Sequence, residues 1–111
     1  MTKKDEYRKF LDKQLGWNST NTMEVMGESM MPTLRHGDHV KIDKSDCSLS
    51  SPGIFAVWDG NDIFIRRLEG KLGTNPRIVM VMADNPSYKT HEIPEEDLYI
   101  LGRILALGRR L

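Results

Sequence analysis

A chain of 111 residues and 12.7 kDa holds one domain with a core of its own and is too short for two. Apolar residues at 39% and charged residues at 29% exclude a disordered chain. Sixteen Lys and Arg against sixteen Asp and Glu leave a formal net charge of zero, which argues against a domain built mainly to neutralise nucleic-acid phosphates.

The single cysteine, Cys47, forbids an internal disulfide and a cysteine-built zinc cage, and fits a reducing cytoplasm. No apolar run approaches the roughly 18–20 residues of a membrane span, so no membrane contact is expected. The start, Met1 to Glu6, is basic then acidic with no apolar stretch behind it, unlike a signal peptide.

Residues 1–22 read as an N-terminal helix and linker, and residues 23–111 as the main domain. Tyr7, Phe10, Leu11 and Leu15 share one face of a helix running from Thr2 to Leu15, with Asp5 in its first turn and Gly16 as its stop. The polar run 18–22 is a linker or turn. From Met23 the texture changes to short strands: Met23–Met26, then Val40–Asp43 with clean alternation. Ile54–Trp58 and Ile63–Ile65, joined by Asp59-Gly60-Asn61-Asp62, are the best hairpin signal in the chain. Arg77–Met82 is apolar after its first residue and is expected to be central. Glu92–Asp97 reads as a solvated acidic loop, and Tyr99–Leu107 as a final strand, since Gly102 and Gly108 weaken a helix there. Strands joined by hairpins with one helix at an end imply a mostly β, antiparallel α+β domain.

Met26-Gly27-Glu28-Ser29-Met30-Met31-Pro32-Thr33-Leu34-Arg35-His36-Gly37-Asp38 is the most informative stretch. A strand ends at Gly27, a serine follows at the turn, Leu34 anchors a proline-directed bend, and a second turn at Gly37-Asp38 leads back into a strand. A serine at such a turn can be aimed outward as a nucleophile; serine and glycine are equally ordinary turn residues. The wider pattern resembles the C-terminal domain family of LexA and the phage repressors. It comprises Ser29-Met30 with Pro32-Thr33-Leu34, Gly37-Asp38, Val40–Asp43, Gly53-Ile54, Ile65-Arg66-Arg67-Leu68, Ala83–Tyr88 and Ile100-Leu101-Gly102-Arg103, in order over roughly residues 23–107. That resemblance implies a strand-rich, signal-peptidase-like fold whose members either cleave themselves through a serine and a lysine or serve as repressor assembly domains. Type I signal peptidases share the Ser-Met-x-Pro-Thr-Leu box but carry a membrane anchor.

The departure from the family lies at the base. In active members a lysine in the strand after the hairpin takes the serine proton; the matching residue here is Arg66. Burial can bring a lysine from about 10.4 toward neutrality, whereas arginine stays protonated and offers only donors. Arg66 can therefore orient Ser29 but not deprotonate it, and the loss of a general base costs about 10²–10⁴-fold in rate. Lys41 alternates with Val40 and Ile42 and should point away from the core, while Lys44, Lys71 and Lys89 lie near turns, and no lysine stands between Lys44 and Lys71. Self-cleaving members also carry an Ala-Gly or Cys-Gly bond upstream of the serine, and neither dipeptide occurs in this chain.

Other chemistries are weaker. His36, Asp38, His39 and His91 match no usual zinc spacing, Cys47 has no activating cation nearby in sequence, and no phosphate-binding glycine loop or Gly-x-Ser-x-Gly elbow is present; no metal or cofactor is expected. The seven methionines are expected to pack the core, and Trp17 and Trp58 suit either a core or an interface.

Three readings follow. The first is a non-cleaving dimerisation or oligomerisation domain of a repressor, with Tyr99–Leu107 as its self-pairing edge and DNA contacted only through a separate N-terminal domain. In the second the chain is an active serine peptidase with Ser29 as nucleophile, cutting itself or a partner. A small stand-alone modulator of a full-length relative is the third.

Overall fold

The computed structural model describes residues 3–15, 21–106 and 109–110. Helix α1 spans Lys3–Leu15. Eight strands follow: β1 Thr22–Glu24, β2 His39–Asp43, β3 Gly53–Trp58, β4 Ile63–Gly70, β5 Ile78–Met82, β6 His91–Pro94, β7 Tyr99–Ala106 and β8 Arg109–Arg110. They form one antiparallel sheet in the order β1-β2-β7-β3-β4-β5-β6, with β8 paired to β7. The expected class, mostly antiparallel β with one short N-terminal helix, is the observed one. Thr2, Gly16, Trp17, residues 18–20, Leu107 and Gly108 fall outside the described residues.

The predicted hairpin is β3–β4, and its turn is closed by the Asp59 carboxylate, which accepts from the N–H groups of Asn61 and Asp62 at 2.8 Å each. β3 is buried on both faces. Ile54, Ala56 and Trp58 join one core with Leu11, Met30, Leu34, Val40 and Ile104. Phe55 and Val57 join a second core with Leu68, Val79, Val81 and Leu98. The alternation of a strand thus feeds two cores from one segment. The helix covers the first: Leu11 is buried there and Tyr7 meets the rings of Trp58 and Tyr99 edge-on.

Four expectations change. The described part of the expected edge Tyr99–Leu107 is not an edge: β7 is flanked by β2 through Asp43↔Arg103 to Lys41↔Leu105 and by β3 through Phe55↔Arg103 to Trp58↔Tyr99. Its backbone groups are occupied there, so it cannot be the self-pairing edge. Arg77–Met82 is next to the edge strand rather than central, and it alternates, burying Val79 and Val81 while Ile78, Met80 and Met82 are half-exposed. Glu92–Asp97 is not a free loop but the edge strand β6 and a 3₁₀ turn, tied back by Lys71–Glu92 and Arg77–Glu95 ion pairs. Met30 is buried among the methionines, but Met26 is 68% exposed beside the serine turn.

Gly102 explains the Ile-Leu-Gly-Arg segment. A Cβ there would lie 2.7 Å from Ile42 Cγ2 and 2.8 Å from the Asp43 carbonyl oxygen, so β2 can approach β7 only across a glycine. Next to it, Arg103 is 1% exposed yet fully engaged. Its Nε donates to Asp46 at 2.6 Å, its other N–H groups donate to Ser51 and to the Pro52 carbonyl, and its guanidinium lies 4.3 Å from the centre of the Phe55 ring. A buried charge is tolerated only when paired and hydrogen-bonded in this way, and the result pins the segment from Asp46 to Pro52 onto the sheet.

Candidate functional site

The serine turn is built from both ends. Gly27 and Gly37 take φ of 80° and 90°, a left-handed backbone that suits glycine. They bracket a loop closed by the Val25 N–H donating to the Asp38 carbonyl and the Gly37 N–H to the Val25 carbonyl. The Gly27 N–H donates to His36 Nδ1 at 2.9 Å, which gives that histidine a structural task within the loop. Inside it, Met30 and Leu34 are anchored in the first core, and the Leu34 N–H donates to the Met30 carbonyl. Burying those two side chains leaves Ser29 between them and solvent, half-exposed.

Arg66 reaches Ser29 from β4. Its Nη1 donates to Ser29 Oγ at 2.9 Å and to the Ile65 carbonyl at 2.8 Å. The guanidinium lies 5.3 Å from the centre of the Phe64 ring, within reach of a cation–π attraction. Burial pulls its pKa below the usual arginine value, partly opposed by the nearby Tyr88 hydroxyl. Even so lowered, a guanidinium stays charged and has no lone pair to accept a proton. A Ser29 lone pair is therefore held by a donor, and nothing in the pair removes the hydroxyl proton.

The adjacent residue works differently. Arg67 donates through Nε and Nη2 to the two oxygens of Asp84 at 2.8 and 2.9 Å, and Thr33 Oγ1 donates to the same carboxylate. The hydrogen bond from Arg67, then that from Thr33, holds the Asp84 carboxyl below the usual carboxylate range against the opposing effect of burial. The same hydrogen bond raises Arg67. Next to Asp84, the Asn85 N–H donates to the Ser29 carbonyl at 2.9 Å and its side-chain amide to the Glu28 carbonyl at 3.1 Å. Thr33, Arg67, Asp84 and Asn85 thus clamp the serine turn to β4. The residues stood in the recognised pattern, yet no role for them follows from the sequence, because the contacts join positions up to 57 apart. The one local hint was a pair of adjacent arginines directly after the apolar run Ile63–Ile65.

A groove of about 260 Å³ runs beside the serine, between Met23–Met30 and Ile63–Arg66 with Tyr88 at its side, and no lysine lines it among the described residues. Lys41 is exposed on the strand face away from the core, as alternation predicts, and Lys71 is paired with Glu92. Arg66 and Phe64 also line a second cavity of about 460 Å³ with Val57, Val81, Ile93 and Leu98. His39 lies in β2 and His91 in β6, apart from His36 in the serine loop, and no group of three metal-ligating side chains occurs among the described residues. Cys47 donates to the carbonyls of Lys44 and Leu101.

A serine is thus presented on a glycine-bracketed turn, with a basic side chain from the neighbouring hairpin strand on its hydroxyl. A model of the Peptidase S24-like family matches residues 2–105, and the chain belongs to that family. Among curated proteins it is 30% identical over 88 residues to a LexA repressor of Ruegeria sp. (strain TM1040), covering 78% of this chain and 35% of that one. It is likewise 30% identical over 91 residues to a LexA repressor of Petrotoga mobilis, covering 81% and 43%. Against the 26 kDa repressor protein of Escherichia phage HK022 it is 29% identical over 90 residues, covering 78% and 37%. The chain thus spans less than half the length of these relatives. No solved structure matches it. No helix among the described residues is long and apolar enough to cross a membrane.

Proposed function

We propose that this chain acts as the C-terminal assembly domain of a LexA-like or phage-type transcriptional repressor and that its Ser29 site does not cleave the protein. One observation carries the second half: the side chain that touches Ser29 Oγ is the permanently protonated Arg66, where the family's chemistry needs a lysine able to lose its proton. The family membership and the similarity to LexA and phage repressors support the first half. Zero net charge is consistent with DNA being gripped by a separate domain, for which the greater length of the relatives leaves room. Self-association is assigned to the sheet ends β1 and β6 rather than to the interior strand β7.

The competing reading, an active peptidase, draws on the presentation of Ser29 beside a groove. Acylation of Ser29 by p-nitrophenyl acetate, followed by intact mass between pH 7 and 10, separates the two. The unmodified protein should acylate no faster than Ser29→Ala. Arg66→Lys should gain Ser29-dependent acylation, by up to about 10²–10⁴-fold if the new lysine works as a full base. Fast acylation of the unmodified protein would sink the non-cleaving reading. Light scattering over a concentration series tests assembly, and a monomer at every concentration would refute it.

A further inference from the structure

Arg67, Arg77 and Arg103 each pair with a carboxylate. Arg66 is half-buried, spends one nitrogen on Ser29 and the Ile65 carbonyl, and has no carboxylate partner among the described residues. Charges taken out of water are costly until an opposite charge joins them. The surroundings describe what that opposite charge is attached to. On one side of Arg66 the edge of β4 from Ile63 to Arg66 pairs with no strand among the described residues, because β5 pairs only with Arg67–Gly70. The 260 Å³ groove runs along that free edge, flanked by the exposed side chains of Met26 and Tyr88. An extended peptide finds backbone partners at such an edge. On the other side lies the apolar 460 Å³ cavity, within the size range of side-chain and small-ligand pockets. Asp59 and Asp97 line it together with His91, and the two carboxylates favour an uncharged side chain there.

We propose that Ser29 and Arg66 form a receptor for the free C-terminal carboxylate of a peptide whose last side chain is large and apolar. The carboxylate takes the open donors of the guanidinium fork in charge-assisted hydrogen bonds. The last side chain enters the cavity lined by Val57, Phe64, Val81 and Ile93, and the preceding residues follow the β4 edge. The lowered pKa of Arg66 agrees, since an anion would offset the burial that causes it. This receptor rests on the reading that the site does not cleave: with a working base the serine would hydrolyse an extended peptide rather than hold its end.

The test is fluorescence anisotropy on the full chain. The probes are N-terminally fluorescein-labelled Ala-Val-Ala-Val-Leu as free acid and as C-terminal amide, and Ala-Val-Ala-Val-Ala as free acid. The leucine acid should bind at least about tenfold more tightly than its amide, the scale of a lost charge-assisted contact, and more tightly than the alanine acid. Arg66→Gln should bring acid and amide to equal affinity. Equal affinities on the unmodified protein, no binding by any probe, or an acid preference that survives in Arg66→Gln would each overturn the proposal. N-acetyl-leucine and inorganic phosphate serve as competitors. Displacement by either at the concentration effective for unlabelled peptide would make this a small-anion site and overturn the peptide assignment. The acid–amide comparison needs no variant, so it stands even if Arg66→Gln misfolds. Mass spectrometry of the same samples separates the two readings: a cut amide probe refutes the non-cleaving site, and an intact probe with equal affinities refutes the receptor.

Discussion

Arg66 and Arg103 are both arginines on interior strands of one sheet, and their surroundings differ in kind. Arg103 is 1% exposed, and its neighbours satisfy it with a carboxylate, a hydroxyl, two carbonyls and an aromatic face. Arg66 is half-buried, meets a hydroxyl, one carbonyl and the Phe64 ring, and opens onto a groove and a cavity. The first charge is closed by the protein itself and serves the fold. The second meets no carboxylate among the described residues, and the proposed receptor rests on that difference. The two charges thus differ both in burial and in the completeness of their partners.

The sharpest way to break this contrast is at Arg103. Arg103→Met removes a buried guanidinium together with its bonds to Asp46, Ser51 and the Pro52 carbonyl, and should lower unfolding stability in urea by about 3–5 kcal/mol. A loss below 1 kcal/mol would mean that the Arg103 corner is no more structural than the Arg66 corner. Gly102→Ala should cost about 1–3 kcal/mol, because β2 must move to admit the new methyl group.

Asp84→Asn comes next. Arg67 is partly exposed, so removing its pair should cost no more than about 1–2 kcal/mol, while amide exchange in the turn from Glu28 to Leu34 should quicken. Because Arg67 and Thr33 hold the Asp84 carboxyl low, its contribution is complete above its unfolded value of about 3.9 and fades as pH falls through the lower folded one. The stability gap between the unmodified protein and Asp84→Asn should therefore be constant near neutrality and close below about pH 4. The smallest effect is expected at Arg66 itself: Arg66→Gln should leave stability within about 0.5 kcal/mol, since no carboxylate among the described residues loses a partner.

The sequence made part of this contrast legible. The serine loop announced itself through Gly27, Gly37, Pro32 and Leu34, all local signals, and the hairpin through its alternation and its Asp-Gly-Asn-Asp turn. The resemblance then carried Arg66 to Ser29 across the 37 positions that separate them, and the structure places the two in contact. Spatial strand order was not legible, because neither periodicity nor chain order states which strand lies beside which. Leu101, Gly102, Arg103 and Ile104 are buried in succession, the mark of an interior strand, whereas the more apolar Arg77–Met82 alternates near the edge. An arginine in the middle of β7 obscured that pattern, since a charge seldom enters a core. The clamp of Thr33, Arg67, Asp84 and Asn85 was hidden for the same reason as the strand order: it depends on which loop the sheet brings over the serine turn.

The most direct test of the central claim is the intact mass of the unmodified protein after prolonged incubation from pH 7 to pH 10, beside Ser29→Ala. If Arg66 holds the serine without activating it, both proteins keep their full mass at every pH. A fragment that forms in the unmodified protein, grows with pH and is missing from Ser29→Ala would contradict the account.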